Sequence, residues 1–317
     1  MPDTTIYVDH AATTPVHPDV LRAMAPYERE RFGNPSSLYR RGREADTAIE
    51  RARETVAKVL NARPGEVIFT SGGSESINTA IKGVAFAQHF AGVGRRIVTT
   101  AAEHHAVLHS LDYLERFGFE TVRLPVDGCG QVNPHAVLEA VTEDTILVSV
   151  MLANNEVGAI QPLARIAEAL RRRGDELQRH IPLHTDAVQA PGQLPLDVQD
   201  LDVDLLSISA HKFRGPKGMG ALYLRRGTPF LAQVDGGGQE RNRRAGTENV
   251  AGIVGMAEAL WLADQQRAAF VRHTRLLRDR FFERILRELP GAIRNGPIDE
   301  RLANNANVRF EGVDGER

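Results

Sequence analysis

A lysine and a histidine follow a buried-looking segment near the middle of the chain. Residues 204–209 are predicted to form a β-strand that ends at Ser209, and His211 and Lys212 come directly after it. In an open α/β sheet, ligands bind at the carboxyl ends of the strands. Burial lowers the pKa of a lysine there toward the neutral amine that forms an imine with a carbonyl group. Lys212 is therefore a candidate catalytic residue, whereas Lys217, inside the following turn, is expected to be an ordinary surface lysine.

A glycine-rich turn between a strand and a helix offers a site for an anion. The predicted strand at residues 67–70 is followed by Ser71-Gly72-Gly73-Ser74, and a helix is expected to begin near Ser74. Glycines let the backbone approach an anion, and the free N–H groups and dipole of a helix start favour phosphate. The segment matches neither the Walker loop nor the dinucleotide-binding motif. Because the same pattern also caps helices without any ligand, both explanations stay open.

Asp186 ends the predicted strand at residues 182–186. A carboxylate at that point can hydrogen-bond a protonated ring nitrogen and keep the ring charged, so that the ring accepts electrons from a carbanion. The alternative is that Asp186 simply caps a helix that starts at Ala187.

His104 and Asn155 each come shortly after a predicted strand, at residues 96–100 and 145–152 respectively. The His104 imidazole can lie flat on a cofactor ring or move protons. Asn155 offers amide donors, although asparagines in loops commonly form turns. All five motifs follow strands, so one crevice at one edge of a sheet could collect them.

Strands and helices alternate along most of the chain, which predicts an α/β fold with a mostly parallel sheet between helices. Apolar residues along 45–60 recur at helical spacing and predict an amphipathic helix. From about residue 248 the pattern changes to one long helix. Residues 291–297 are turn-rich, and residues 307–310 begin a strand with nothing after it to pair with. Further strands are predicted at residues 121–126 and 221–225.

This pattern suggests three parts of the chain. Residues 1–15 are expected to be an N-terminal segment of a smaller domain, residues 16–257 a large ligand-binding domain, and residues 258–317 the incomplete remainder of the smaller α/β domain. The length of 317 residues is compatible with one large domain and one small one.

Composition excludes several classes of protein. The net charge is −2, which gives no general attraction to nucleic acid, and neither a membrane span nor a signal peptide is visible in the sequence. Cys129 is the only cysteine, which excludes a disulfide framework and a four-cysteine metal site and favours a reducing compartment such as the cytoplasm. His105 and His109 lack an acidic neighbour and a third ligand, so no metal site is expected.

Several motifs together resemble the class V aminotransferases that use pyridoxal 5′-phosphate (PLP), and more narrowly the cysteine desulfurases of the nitrogen-fixation type. The resemblance covers essentially the whole chain. The matching segments are Tyr7-Val8-Asp9-His10-Ala11-Ala12-Thr13-Thr14, Phe32-Gly33-Asn34-Pro35-Ser36-Ser37, Ala153-Asn154-Asn155-Glu156, His184-Thr185-Asp186-Ala187-Val188-Gln189, Arg244-Ala245-Gly246-Thr247-Glu248-Asn249 and Asn304-Asn305-Ala306-Asn307.

This resemblance implies the PLP-dependent transferase fold of type I and a role for each residue around the cofactor ring. Lys212 would hold PLP as a Schiff base and move protons at the substrate α-carbon. Asp186 would pair with the pyridine nitrogen, and His104 would stack on the ring. Gln189 would bond the phenolic oxygen, and Asn155 would lie near that oxygen and the substrate carboxylate.

The resemblance also implies the phosphate contacts and the oligomeric state. Gly73 and Ser74 would bind the phosphate with Ser209 and His211. Thr247 matches a threonine that reaches the phosphate of the neighbouring subunit, which implies a homodimer with shared active sites.

The implied reaction converts L-cysteine to L-alanine and passes sulfur, as an enzyme persulfide, to an acceptor such as an iron–sulfur scaffold. The family's nucleophilic cysteine and its carboxylate-binding arginine lie downstream of the strand that matches residues 307–310, and the chain ends at Arg317 before them. Cys129 lies in a predicted turn and is expected to be a spectator. The alternatives are a selenocysteine lyase or another class V PLP lyase, and a fragment that binds PLP without catalysis.

Overall fold

The computed structural model describes residues 5–314, and its centre is a seven-stranded sheet. The strands are β1 (Val67–Thr70), β2 (Arg96–Thr100), β3 (Glu120–Leu124), β4 (Thr145–Ser149), β5 (Leu183–Asp186), β6 (Leu205–Ser209) and β7 (Gly220–Leu224). Their order is β1-β7-β6-β5-β4-β2-β3. Strand β7 runs antiparallel to both of its neighbours, and the other pairs are parallel. The predicted α/β class with a mostly parallel sheet is confirmed.

Helices cover both faces of this sheet. They are α1 (Pro18–Arg29), α2 (Arg40–Leu60), α3 (Gly73–Phe90), α4 (His105–Glu115), α5 (Pro134–Ala140), α6 (Leu163–Leu177), α7 (Val198–Leu201), α8 (Gln239–Asn242) and α9 (Val250–Glu288). The predicted amphipathic helix is α2, and its apolar stripe, which includes Ala45, Ile49 and Val56, is buried. The long helix predicted after residue 248 is α9.

Alternate residues of each strand point to opposite faces of the sheet and so join different parts of the core. Leu205 of β6 packs in a buried cluster with α3 and α4, whereas Leu206 packs in the cluster that includes α2, α6 and α9. All the strands except the edge strand β3 are largely buried, as expected for a sheet covered by helices on both faces. Polar side chains are concentrated where the strands end.

The end of the described chain corrects one prediction. Val308–Phe310 forms β9, and this strand pairs antiparallel with β8 (Ala292–Arg294). The expectation that the strand near residue 307 lacks a partner was therefore wrong, because the segment interpreted as turns contains a three-residue strand. Helix α9 runs without interruption past residue 257, where a domain boundary was placed. The three-part division of the chain stays a prediction.

Within residues 5–314, no helix is both long enough and apolar enough to cross a membrane. The same part of the chain contains no group of three or more His, Cys, Asp or Glu side chains arranged to hold a metal ion.

Candidate active site

A cavity of about 1330 Å³ lies at the carboxyl ends of the parallel strands. Nine of the ten residues predicted to contact a cofactor line it, and only Thr247 does not. The nine are Gly73, Ser74, His104, Asn155, Asp186, Gln189, Ser209, His211 and Lys212. The structure therefore brings together residues that are up to 139 positions apart in the sequence, from Gly73 to Lys212.

Lys212 reaches into this cavity from a short 3₁₀ turn that follows β6. Its Nζ atom donates hydrogen bonds to the carbonyl oxygens of Ala11 and Ala12, at 2.5 and 2.8 Å. Partial burial lowers the pKa of Lys212, and the negative charges of Asp186 and Asp9 oppose this effect. The site thus favours a less basic amine than a lysine in water, which suits a nucleophile.

Asp186 is buried at the end of β5. Its Oδ1 atom accepts a hydrogen bond from the Val188 N–H at 2.9 Å, within a turn, and no helix starts at Ala187, so the alternative that Asp186 caps such a helix is wrong. Burial raises the pKa of Asp186 to about 6, although the Val188 N–H and the charge of Lys212 act in the opposite direction. A cationic partner inside the cavity would hold this carboxyl group ionised.

His104 forms the start of α4, where its Nδ1 atom accepts a hydrogen bond from the Ala106 N–H at 3.0 Å. Partial desolvation lowers the pKa of His104, and the nearby His105 and Lys212 lower it further. The imidazole is therefore neutral at pH 7, which allows its ring to stack on another flat ring without the cost of burying a charge.

Glu103 is a buried acid next to His104 that the sequence interpretation did not assign to the site. Its Oε1 atom accepts hydrogen bonds from the Thr100 hydroxyl and the Met151 N–H, both at 2.9 Å. Burial, and to a smaller extent the charge of Asp186, raises the pKa of Glu103 to about 8. Its position directly after a strand was the one signal in the sequence that could have indicated it.

Asn154 shapes the loop that presents Asn155. The buried Asn154 side chain accepts hydrogen bonds from the N–H groups of Glu156 and Val157, at 2.8 and 2.9 Å, and donates one to the Ala102 carbonyl at 3.0 Å. Asn154 is thus the turn former that the sequence allowed for, and Asn155, whose Nδ2 atom donates to Glu156 Oε1 at 2.6 Å, lines the cavity.

The predicted anion site lies at the start of α3. Gly72 has φ of +147°, and the helix begins at Gly73. A Cβ atom at Gly73 would lie 2.9 Å from Val188 Cγ2 and 3.2 Å from Ser209 Cβ, so only glycine lets the first turn pack this close to the sheet. The first N–H groups of a helix have no partner within the helix and are available to an anion.

The N-terminal segment closes one side of the cavity. The Ala11 carbonyl accepts a hydrogen bond from the Gln189 side chain at 3.1 Å as well as from Lys212. The His211 Nδ1 atom lies 3.1 Å from the Thr13 hydroxyl oxygen. These contacts fix the positions of three candidate site residues relative to a segment about 200 residues earlier in the chain.

Thr247 lies outside the main cavity, in the exposed loop between α8 and α9, where it lines a second cavity of about 110 Å³. The backbone of α8, directly before this loop, is strained, since Glu240, Arg241 and Asn242 all have positive φ. A buried ion pair between Glu240 and Arg53, with N–O distances of 2.7 and 3.0 Å, stabilises this conformation.

Residues 6–317 match the family model described as "Aminotransferase class-V". This chain belongs to that family. A cysteine desulfurase IscS from Dictyoglomus turgidum is 49% identical over 98% of this chain and 77% of the relative. The predicted family resemblance is confirmed.

Solved structures give the same assignment. A NifS-like protein has a TM-score of 0.93 and 42% identity, with 98% of this chain and 83% of that chain covered. A second structure, described as SspA in complex with cysteine, has a TM-score of 0.84 and 37% identity, with coverages of 97% and 84%. The predicted type I fold is confirmed, and the curated relatives are named as cysteine desulfurases.

Proposed function

We propose that this chain takes part in the PLP-dependent desulfuration of L-cysteine to L-alanine. The observation that carries the proposal is the Lys212 amine, whose pKa is lowered and which shares one cavity with the buried Asp186 carboxyl group, in a member of the class V family. The relatives named as cysteine desulfurases support the choice of substrate.

The residues in the cavity fit PLP. The close approach of α3 to the sheet at Gly73 leaves helix N–H groups facing the cavity, where Ser74, Ser209 and His211 add donors for a phosphate. The Asp186 Oδ2 atom makes no hydrogen bond to the described residues and is available to a pyridine nitrogen. PLP, when bound, withdraws electrons from the substrate α-carbon and so makes its proton acidic.

Side chains of this protein would move the proton, hold the cofactor ring and bind the substrate. Lys212 Nζ would take the proton from the substrate α-carbon and return it, since a neutral amine can serve as a base. Asp186 would stay ionised beside a protonated ring nitrogen. His104 would stack on the ring, Gln189 would donate to the phenolic oxygen, and Asn155 would hold the substrate carboxylate.

Sulfur abstraction needs a thiolate in the cavity. Cys129 is exposed, lies in a turn held by Asp127, and does not line the cavity formed by the described residues. A polypeptide of residues 1–317 is therefore expected to exchange the α-proton of an amino acid without releasing sulfide. Without a positioned nucleophile the reaction loses an advantage of up to roughly 7–11 kcal/mol.

The test is an exchange experiment on the PLP-loaded polypeptide. In D₂O, proton NMR should show loss of the α-proton signal of L-cysteine and of L-alanine, and Cys129→Ser should leave the rate unchanged. Bound PLP without exchange would support a protein that only binds the cofactor, and a chain that binds no PLP would overturn the proposal. Release of sulfide that depends on Cys129 would show that Cys129 is the nucleophile and not a spectator.

We further propose a homodimer in which Thr247 of each subunit reaches the phosphate of the other. The exposed position of Thr247, in a loop held by a buried ion pair, supports this role. An iron–sulfur scaffold or another acceptor would receive the sulfur. The single cysteine supports a reducing compartment such as the cytoplasm.

A further inference from the structure

Four polar side chains form a hydrogen-bonded row behind the cavity, and all four are fully buried. The row runs from Ser149 on β4 through His184 on β5 and Ser207 on β6 to Ser76 on α3. Ser149 Oγ lies 2.8 Å from His184 Nδ1, His184 Nε2 lies 3.1 Å from Ser207 Oγ, and Ser207 Oγ lies 2.8 Å from Ser76 Oγ. Ser76 Oγ also lies 3.0 Å from the carbonyl oxygen of Ala221 on β7.

The direction of the hydrogen bonds along this row follows from counting hydrogens. If Ser76 donates to the Ala221 carbonyl, then Ser207 donates to Ser76, His184 Nε2–H donates to Ser207, and Ser149 donates to His184 Nδ1. In the opposite direction the Ser149 hydroxyl hydrogen has no acceptor among the described residues, which is costly in a buried position. The first direction is therefore favoured, and it requires a neutral imidazole with its hydrogen on Nε2. Burial also lowers the pKa of His184, to about 3.

This row lies on the same face of the sheet as the candidate cofactor contacts, two residues earlier along each strand. Residues two apart on a strand point to the same face, so His184 and Asp186 share a face, as do Ser207 and Ser209. On the helix side, Ser76 is in the first turn of α3, three residues after Gly73. The hydrogen-bonded row thus joins that first turn to the two strands that carry Asp186 and Ser209.

We propose that His184 is a positioning residue that fixes the first turn of α3 against β5 and thereby sets the distance between the phosphate-binding N–H groups and Asp186. This inference rests on the proposed binding of PLP. A bound PLP molecule spans both ends of that distance, with its phosphate at the helix start and its ring nitrogen at the carboxylate. Pyridoxal, which has no phosphate, uses only the ring contacts.

The preference for PLP over pyridoxal is the property that separates positioning from general stability. Replacing His184 leaves the Ser149 and Ser207 hydroxyls without the imidazole, and the first turn of α3 loses a directional restraint. The phosphate contacts then weaken while the ring contacts remain. A residue that only stabilises the fold would affect the two ligands equally.

The experiment measures the Kd of the apoprotein for PLP and for pyridoxal by absorbance titration. His184→Phe and Ser76→Ala are each expected to reduce the ratio of the two affinities by about tenfold, while the affinity for pyridoxal stays within about threefold. Ser76→Ala is the smaller change, and if His184→Phe does not fold, the affinity ratio of Ser76→Ala is the test of the proposal. Ser110→Ala is the matched control, because Ser110 is a buried serine whose hydroxyl has no partner in the described structure.

An unchanged ratio in the folded variants would overturn the role of His184, and so would an equal loss of affinity for both ligands. A wild-type protein that binds neither ligand would instead refute the proposed function, on which this inference rests.

Discussion

The buried Glu103 carboxyl group is predicted to make the free energy of unfolding depend on pH. Its pKa is raised by burial from 4.5 to about 8, so the folded protein keeps a proton that the unfolded chain has released. Between those two values stability therefore falls as the pH rises, and for pKa values of 4.5 and 8 the loss between pH 5 and pH 8 is about 3–4 kcal/mol. Glu103→Gln keeps the neutral form and removes this loss.

The measurement is urea unfolding of the apoproteins at several pH values and constant ionic strength. The free energy of unfolding of Glu103→Gln, relative to wild type, should rise by about 3–4 kcal/mol from pH 5 to pH 8. Burial also raises the pKa of Asp186, but Asp186 is present in both proteins and its contribution largely cancels.

Glu168→Gln is the matched control for this experiment, since Glu168 is exposed on α6 and pairs with Arg172. It should leave the pH dependence as in wild type. A stability difference between Glu103→Gln and wild type that stays flat from pH 5 to pH 8 would mean that Glu103 is ionised in the folded protein. Burial would then not keep the Glu103 carboxyl group protonated.

Three further predictions concern cofactor attachment, the ring contact and the Thr247 loop. Borohydride reduction of the PLP-loaded protein followed by peptide mapping should find the pyridoxyl group on Lys212, and label on Lys217 would refute the assignment. Asp186→Asn should keep PLP bound but slow α-proton exchange roughly ten- to a hundredfold, as measured by NMR, and an unchanged rate would remove Asp186 from the mechanism. Glu240→Ala should lower the free energy of unfolding by about 3 kcal/mol in urea, because the buried Arg53 guanidinium loses the carboxylate that pairs with both Nη atoms and keeps only the partly exposed Glu50, and a loss below about 1 kcal/mol would contradict that reasoning.

Much of the sheet could be predicted because its strands are short β-rich segments that alternate with helical patterns, and all but the edge strand β3 are largely buried. The predicted strand at residues 67–70 coincides with β1, and the one at residues 96–100 coincides with β2. Asp186 lies at the end of a predicted strand, and a parallel sheet brings such strand ends to one edge. The strand-end pattern and the family resemblance together selected nine residues that line one cavity, and their roles stay predictions.

Short elements and interior polar contacts could not be predicted in the same way. Strand β8 has only three residues, and without knowledge of its partner β9 the segment is indistinguishable from a turn. His184 and Ser207 lie inside strands, where an isolated polar residue gives no indication of which face it occupies or what it contacts. Their hydrogen bonds cross between neighbouring strands, so only the sheet order reveals them.

The N-terminal motif, residues 7–14, matches the family in sequence, but its physical role is evident only from its contacts with Lys212 in the folded chain. Ala11 and Ala12 carry no reactive group, and they are about 200 residues from Lys212 in the sequence. In the folded chain their carbonyl oxygens accept two hydrogen bonds from Nζ. A neutral amine has two hydrogens, so both are satisfied and its lone pair is left for an electrophile. Partial burial lowers the pKa of Lys212, and the two carbonyl oxygens hold Nζ in place, so the Ala11–Ala12 backbone has a positioning function that its side chains lack.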